Sequence, residues 1–302
     1  MKFEVINITK KFKEKTAVNN FSMVIHENEC VGLIGPNGAG KSTLIQIIAD
    51  ILHADQGDIL LNDKKISRMK REIGYLPQYP NFFHWMTAFE TLLFMGELSG
   101  LSKLQLKKEI PILLEKVGLA RDVYSKVGTF SGGMKQRLGI AQALLHKPSF
   151  ILMDEPVSAL DPIGRREVLN LLQEIKKEAT ILLSTHILSD AEEICERFVI
   201  IKNGMKIEDT THAQLVNQNK EQAIYLTVDV INHRWLQHLA NQPYVQKVVK
   251  VGPKIKVNVG NMEEDKRKLL HFILKQDVNV NSFEVGEKET LEEIFMKLVV
   301  DV

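Results

Sequence analysis

The chain has 302 residues, 44% of them hydrophobic and 25% charged, with a formal net charge of +1 at pH 7. That length suits roughly two domains, and the near-neutral balance argues against a chain built to bind nucleic acid or an anionic membrane surface. No apolar run approaches the roughly 20 residues of a membrane span, and the start MKFEVINITK lacks the apolar core of a signal peptide. Two cysteines, Cys30 and Cys195, read as buried small hydrophobes in a reducing cytoplasm; a disulfide between them stays open.

In chain order, residues 1 to about 210 alternate strand-like and helix-like segments, the pattern of an α/β domain. FEVINI, CVGLIG, GDILLN, IGYLPQ, FILMDE, ATILLST and RFVIIK read as strands. FILMDE is apolar for four residues and ends in two acids, which suits a strand buried on both faces whose C-terminal end opens into a site. Between Thr87 and Gly118 the spacing of Leu, Phe and Ile predicts a mostly helical insert. FSGGMKQR starts a further helix, with Met134, Leu138, Ala141 and Leu145 on one face. After NQNK (217–220) the character changes. A strand, a helix, two strands about the turn Gly252-Pro253, a helix and a strand follow, the βαββαβ order of a ferredoxin-like plan. The amphipathic segment TLEEIFMKLVV closes the chain as a helix. The expected domains are 1–215, with a helical subdomain at about 79–146, and a small α+β accessory domain at 221–302.

GPNGAGKS (35–42) satisfies G-x-x-x-x-G-K-[ST], between the strand CVGLI and the helix TLIQIIADIL. This is the context of a P-loop. Gly35, Pro36, Asn37, Gly38, Ala39 and Gly40 form a turn whose backbone N–H groups surround a β-phosphate, with Thr43 just beyond. Lys41 adds a point charge between β- and γ-phosphates, and Ser42 ligates Mg²⁺. The metal's second support is Asp154, at the end of FILMDE. Glu155 beside it reads as the base that takes a proton from attacking water, the alternative being a strand cap. Ser131, Gly132 and Gly133 make a second anion site, because free N–H groups and the helix dipole point outward together.

The order GPNGAGKST, YLPQ, FSGGMKQR, ILMDEP, SALD and STH resembles the ATPase subunit of an ABC transporter over about residues 1–210. The resemblance implies a P-loop NTPase fold that binds and hydrolyses ATP with Mg²⁺. It also implies a head-to-tail dimer in which Ser131, Gly132, Gly133 and Met134 meet the ATP held by the other subunit. Gln78 then corresponds to the glutamine that senses Mg²⁺ and the attacking water, Asp161 to the loop crossing the dimer interface, and His186 to the switch histidine at the γ-phosphate. Asp161 also looks like an N-cap before Pro162. Phe12 falls where the family stacks an aromatic ring on adenine; packing in the N-terminal hairpin is its other reading. The signature departs from the usual LSGGQ at Phe130 and Met134, and loss of the glutamine amide implies retuned dimer closure.

A transporting ABC ATPase needs a separate membrane-spanning permease and a second copy of itself or a homologous ATPase subunit. The expected place is the cytoplasmic face of the membrane, with no nucleic acid partner. Phe82, Phe83, Trp85 and Phe89 suit either a core or a groove that receives a short helix of the permease. GEKETLEEIFMKLV resembles the C-terminal segment of ATPases in drug, antibiotic and lantibiotic export systems. The second domain reads as a stabilising or dimer-supporting appendix, with ligand sensing as the alternative. The rival for the whole chain is a soluble ABC ATPase acting on nucleic acid or ribosomes, against which stand its one P-loop and its lack of sustained heptads. An importer's ATPase shares every catalytic motif, and only the C-terminal segment argues against it.

Overall fold

The computed structural model describes residues 2–65, 70–158, 160–211, 214, 223–229, 233–252, 254–276, 278–286 and 295. The chain divides into two compact units, residues 1–212 together with 295–302, and residues 213–294. In the first lie β1 (Lys2–Phe12), β2 (Lys15–His26), β3 (Cys30–Ile34), α1 (Lys41–Ile48), β4 (Gln56–Leu61), β5 (Lys64–Lys65), β6 (Ile73–Leu76), α2 (Ala88–Leu98) and α3 (Lys103–Lys116). They are followed by α4 (Gly132–Leu144), β7 (Phe150–Asp154), α5 (Pro162–Ile175), β8 (Thr180–Thr185), α6 (Leu188–Ile194), β9 (Arg197–Lys202) and β10 (Met205–Thr211).

Six strands form one sheet in the order β10-β9-β3-β8-β7-β6. Every neighbour pair is parallel except β10 on β9. All residues of β3, β7 and β8 are buried, which is why these strands read as unbroken apolar runs. A second, antiparallel sheet runs β2-β1-β4-β5. The core lies between the sheets around α1: Leu44, Ile45 and Ile48 are fully buried, and Phe3 stacks on Phe150 with centroids 4.3 Å apart. Burying such side chains stabilises by about 1.5–3 kcal/mol each.

Three strands of this unit were absent from the sequence reading: the two-residue β5, β2 and β10. β2 carries Asn20 at φ 47, opposite the register irregularities of β1, so its alternation breaks. β10 is an edge strand with only Thr210 buried, too polar to stand out. The expected helical insert is present. Thr87 and Glu90 form a capping box on α2, and Ser102 caps α3. Gly96 lets the two helices touch, since a Cβ there would sit 2.3 Å from Leu106 Cδ2. Cys195 lies just past α6 in extended backbone rather than within the helix. Its Sγ is 3.7 Å from Cys30 Sγ; both thiols are free and buried, as small hydrophobes are.

The second unit contains β11 (Ala223–Val228), α7 (His233–Ala240), β12 (Val245–Val251), β13 (Lys254–Val259), α8 (Met262–Leu274) and β14 (Val280–Val285). Its sheet is antiparallel in the order β12-β13-β11-β14, the strand order of the ferredoxin-like plan. Ile224, Leu226, Ile255 and Val257 pack against Trp235 and Leu239 of α7 and Leu269 and Ile273 of α8. Asn261 caps α8. The expected linker NQNK lies outside the described residues, as does the closing helix except Phe295. Among the described residues no helix is long and apolar enough to cross a membrane.

Candidate active site

β3 ends at Ile34 and α1 begins at Lys41, so the loop Gly35–Gly40 bends the chain from sheet to helix. Gly40 caps α1 at φ +108, and a Cβ there would lie 2.3 Å from the Ala17 carbonyl oxygen. Gly38 at φ +80 faces open space, the arrangement that lets a ligand approach the backbone. The Lys41 side chain is 4% exposed. Its ammonium donates to the carbonyls of Gly35 at 2.8 Å and Pro36 at 3.2 Å, and lies 3.5 Å from Glu155 Oε1. Burial pushes its pKa down, and the Glu155 carboxylate opposes that shift.

Asp154 closes β7 beside Ser184 of β8. Its Oδ1 accepts from Ser42 Oγ at 3.0 Å and from Ser184 Oγ at 2.6 Å. Ser184 Oγ in turn accepts the backbone N–H of Glu155 at 3.0 Å. The sequence reading passed over Ser184; the polar end of the apolar run ILLST was its available signal. Glu155 stands at φ 47, a left-handed conformation that costs a non-glycine residue about 1–3 kcal/mol. The bonds to Ser184 hold it there. The Glu155 Oε2 accepts from Gln78 Nε2 at 3.1 Å and lies 3.1 Å from His186 Nδ1. An amide, an imidazole and an ammonium thus converge on one carboxylate from three separate loops.

These groups line a cleft of about 590 Å³ with Phe12, Asn37, Gly38, Gly40 and Thr43. Lys15, Ala17, Tyr79 and Ser158 join the lining without having been singled out. Phe12 is 47% exposed, with the Lys10 ammonium 5.6 Å from its ring centroid, so hairpin packing does not describe it. Ser42 and Asp154 offer a hydroxyl and a carboxylate within hydrogen-bond contact, hard donors that fit Mg²⁺ when phosphates and water complete its shell.

The second anion site lies elsewhere. Ser131 caps α4 by accepting the Met134 N–H at 3.2 Å, and Met134 is half-buried. Ser131 and Gly133 line a separate depression with Asp161, whose Oδ1 accepts the Gly164 N–H at 2.7 Å and caps α5. None of Ser131, Gly132, Gly133, Met134 or Asp161 lines the P-loop cleft of its own chain. Phe130 is buried and packs in the core. The aromatic run divides: Phe82 is core, whereas Phe83 and Trp85 are 50% and 68% exposed with centroids 5.7 Å apart, and Phe94 lies 6.2 Å from Phe83.

The family described as ABC transporter matches residues 18–158, and the family described as ATP-binding protein DrrA1-3-like, C-terminal domain, matches residues 211–299. The chain is 45% identical over 294 residues to an uncharacterized ABC transporter ATP-binding protein of Bacillus subtilis (strain 168), covering 97% of this chain and 98% of that one. It is 36% identical over 253 residues to the Nod factor export ATP-binding protein I of Rhizobium sp. (strain N33), covering 81% and 82%. A dimeric ATP-binding cassette solved in a post-hydrolysis state with ADP and Pi superposes with a TM-score of 0.62 at 28% identity, covering 69% of this chain and 98% of that one.

Proposed function

The chain belongs to the ABC transporter family as an ATP-binding, ATP-hydrolysing subunit, and from that premise we propose that it powers an exporter as a head-to-tail dimer of two copies. Such subunits dimerise and work with a membrane permease. Here the permease is a separate chain, and the ATPase sits beneath it on the cytoplasmic face. The observation that carries the reading is the split between the two anion sites: one chain's cleft holds the P-loop and Glu155, while Ser131–Gly133 lie outside it. A helix start that lies outside its own chain's P-loop cleft suits a phosphate held by another copy.

In this scheme the P-loop N–H groups and Lys41 bind the phosphates of ATP, and Phe12 stacks on the adenine. Ser42, Asp154 and Gln78 would hold Mg²⁺, which would supply positive charge to offset that of the phosphates. Glu155 accepts the proton of the attacking water, and Gln78 and His186 fix its carboxylate. Ser131, Gly132, Gly133 and Met134 of the opposing copy close over the γ-phosphate, with Asp161 crossing the interface. Hydrolysis removes that bridge, and the dimer opens. Met134 lacks an amide with which to reach the opposing nucleotide. Met134→Gln is therefore expected to tighten ATP-driven dimerisation by about threefold to tenfold, one added hydrogen bond. Gel filtration in a Glu155→Gln background checks it, and unchanged dimerisation refutes it.

Two features support export. The Rhizobium relative is named for export. The segment GEKETLEEIFMKLV, which resembles the C-terminal segment of ATPases in drug, antibiotic and lantibiotic export systems, lies within the residues 211–299 matched to the DrrA1-3-like C-terminal domain. The C-terminal region 221–302 supports the dimer as an accessory domain to the ATPase domain (1–215). The exposed rings of Phe83, Trp85 and Phe94 form the surface that receives a permease helix. Pull-down of tagged Glu155→Gln from solubilised membranes with ATP present should recover a polytopic membrane protein in about equal amount. Trp85→Ala should lower that recovery several-fold without changing ATP affinity, about what loss of an interface anchor costs. Recovery of ribosomes or nucleic acid with no membrane protein refutes the exporter reading.

A further inference from the structure

Between α5 and α6 lies an ion pair, its carboxylate buried and its guanidinium a third exposed, that the scheme above leaves unused. Asp190, in the first turn of α6, is 3% exposed. Its Oδ1 accepts from Arg165 Nε at 2.9 Å and again from Nη2 of the same guanidinium, whose Nη2 also donates to Ser189 Oγ at 3.2 Å. Asp190 Oδ2 is buried with no partner among the described residues. Burial pushes this carboxyl up, and the Arg165 guanidinium pulls it back down. Such a pair is a poor device for stability, because an apolar pair of like volume would hold two helices together as well. What it provides is a fixed geometry.

Its location says what that geometry serves. Arg165 lies one turn beyond Asp161, and its N–H donates to the Asp161 carbonyl at 2.9 Å. Asp190 follows His186 by one turn. The start of α6 has no side-chain cap at Ile187, and its entry turn is closed by the Ile187 N–H donating to Thr185 Oγ1 at 2.9 Å. The remaining ties between the two helices are farther from the histidine. Arg166 meets Glu193 at the surface, Gln173 donates to the Glu193 carbonyl, and Lys176 donates to the Ile194 carbonyl at the end of α6. The Arg165–Asp190 pair, with its carboxylate buried, is the link at the His186 end.

We infer that Arg165 and Asp190 are positioning residues that tie His186 to the Asp161 loop, so that closure of a second copy on Asp161 sets where His186 stands beside Glu155. The inference rests on the reading above that Asp161 meets the other copy and His186 serves the γ-phosphate. It makes hydrolysis at one cleft respond to closure of the dimer rather than to ATP binding alone. A shift of α5 at its first turn carries Asp190 with it, and a displacement near 1 Å at a catalytic group is enough to matter.

The test measures equilibrium ATP binding, ATP-driven dimerisation in a Glu155→Gln background, and turnover in full-length Asp190→Asn, Arg165→Met and Arg165→Lys. Asp190→Asn and Arg165→Met should bind ATP and dimerise within about twofold of the parent, yet lose about tenfold or more in kcat. The Hill coefficient for ATP should fall toward one, a readout that a structural role alone would not move. Arg165→Lys should recover part of both. Unchanged kcat and cooperativity in folded variants overturn the proposal, as does a parallel loss of binding, dimerisation and melting temperature. Should Arg165→Met fail to fold with its buried carboxylate stranded, Arg165→Met/Asp190→Leu replaces it, with the same losses expected and the same results overturning. His186→Ala measured alongside separates the two levels. Normal turnover there overturns the site reading beneath the proposal; impaired turnover there with normal turnover in Asp190→Asn overturns the proposal alone.

Discussion

Glu155→Gln is expected to lower ATP turnover by roughly 10²–10⁴-fold, the usual worth of a general base, while ATP binding persists. The amide keeps the shape of the side chain and can still meet Gln78 and His186, which approach Oε2 at 3.1 Å each. It cannot take a proton from water. The backbone that presents it, at φ 47 and bonded to Ser184, is untouched. Loss of hydrolysis with retained closure should also trap the ATP-bound dimer, so that gel filtration with ATP shows twice the monomer mass. Single-turnover rates and nucleotide binding on the same sample check both halves. An equal loss of binding and turnover would contradict the assignment of Glu155, because it would place the side chain in the phosphate-binding set instead.

Lys41→Ala should act on the other limb, weakening ATP and ADP binding by on the order of 10²-fold or more. A hydrogen bond to a charged group contributes about 1.5–3 kcal/mol, and the ammonium can donate several to phosphate oxygens. Without nucleotide those donors are taken up by the Gly35 and Pro36 carbonyls and by Glu155, so binding exchanges one set of acceptors for a more highly charged one. The checking measurement is the melting temperature with and without Mg-ATP. The parent should gain stability on adding nucleotide by mass-action linkage, and Lys41→Ala should not. Its melting temperature without nucleotide should stay close to the parent's, since Gln78 and His186 still partner Glu155. A retained nucleotide-induced rise would show that the P-loop N–H groups suffice without the lysine.

Much of this molecule was legible in one dimension because the relevant physics is local. The turn Gly35–Gly40 announces itself by the glycines it needs, and β3 and β7 announce themselves by apolar runs that only double burial explains. Asp161 caps the helix that its place before Pro162 pointed to, and Ser131 stands one residue before the helix that FSGGMKQR starts. The βαββαβ order of the second unit followed from segment periods alone, and its strand order then had few alternatives.

Other features were decided only when distant segments met. β2 and β10 owe their pairing to neighbours in their sheets, and half-exposed, Asn- or Asp-bearing strands carry little periodic signal of their own. Whether Phe12 was core or cleft, and whether Phe83 and Trp85 were buried, depended on what packed over them. The left-handed backbone at Glu155, its bonds to Ser184, and the convergence of Lys41, Gln78 and His186 on its carboxylate join residues from four loops. No window of sequence contains that arrangement. The same holds for the Arg165–Asp190 pair, in which a guanidinium and a carboxylate 25 residues apart become neighbours because α5 and α6 pack side by side. Residue types and local spacing thus settle which groups are available for phosphate chemistry, because backbone conformation and burial period are local properties. Which carboxylate is held, by whom, and which anion site lies outside its own P-loop cleft are long-range facts, set by the packing of sheets and helices.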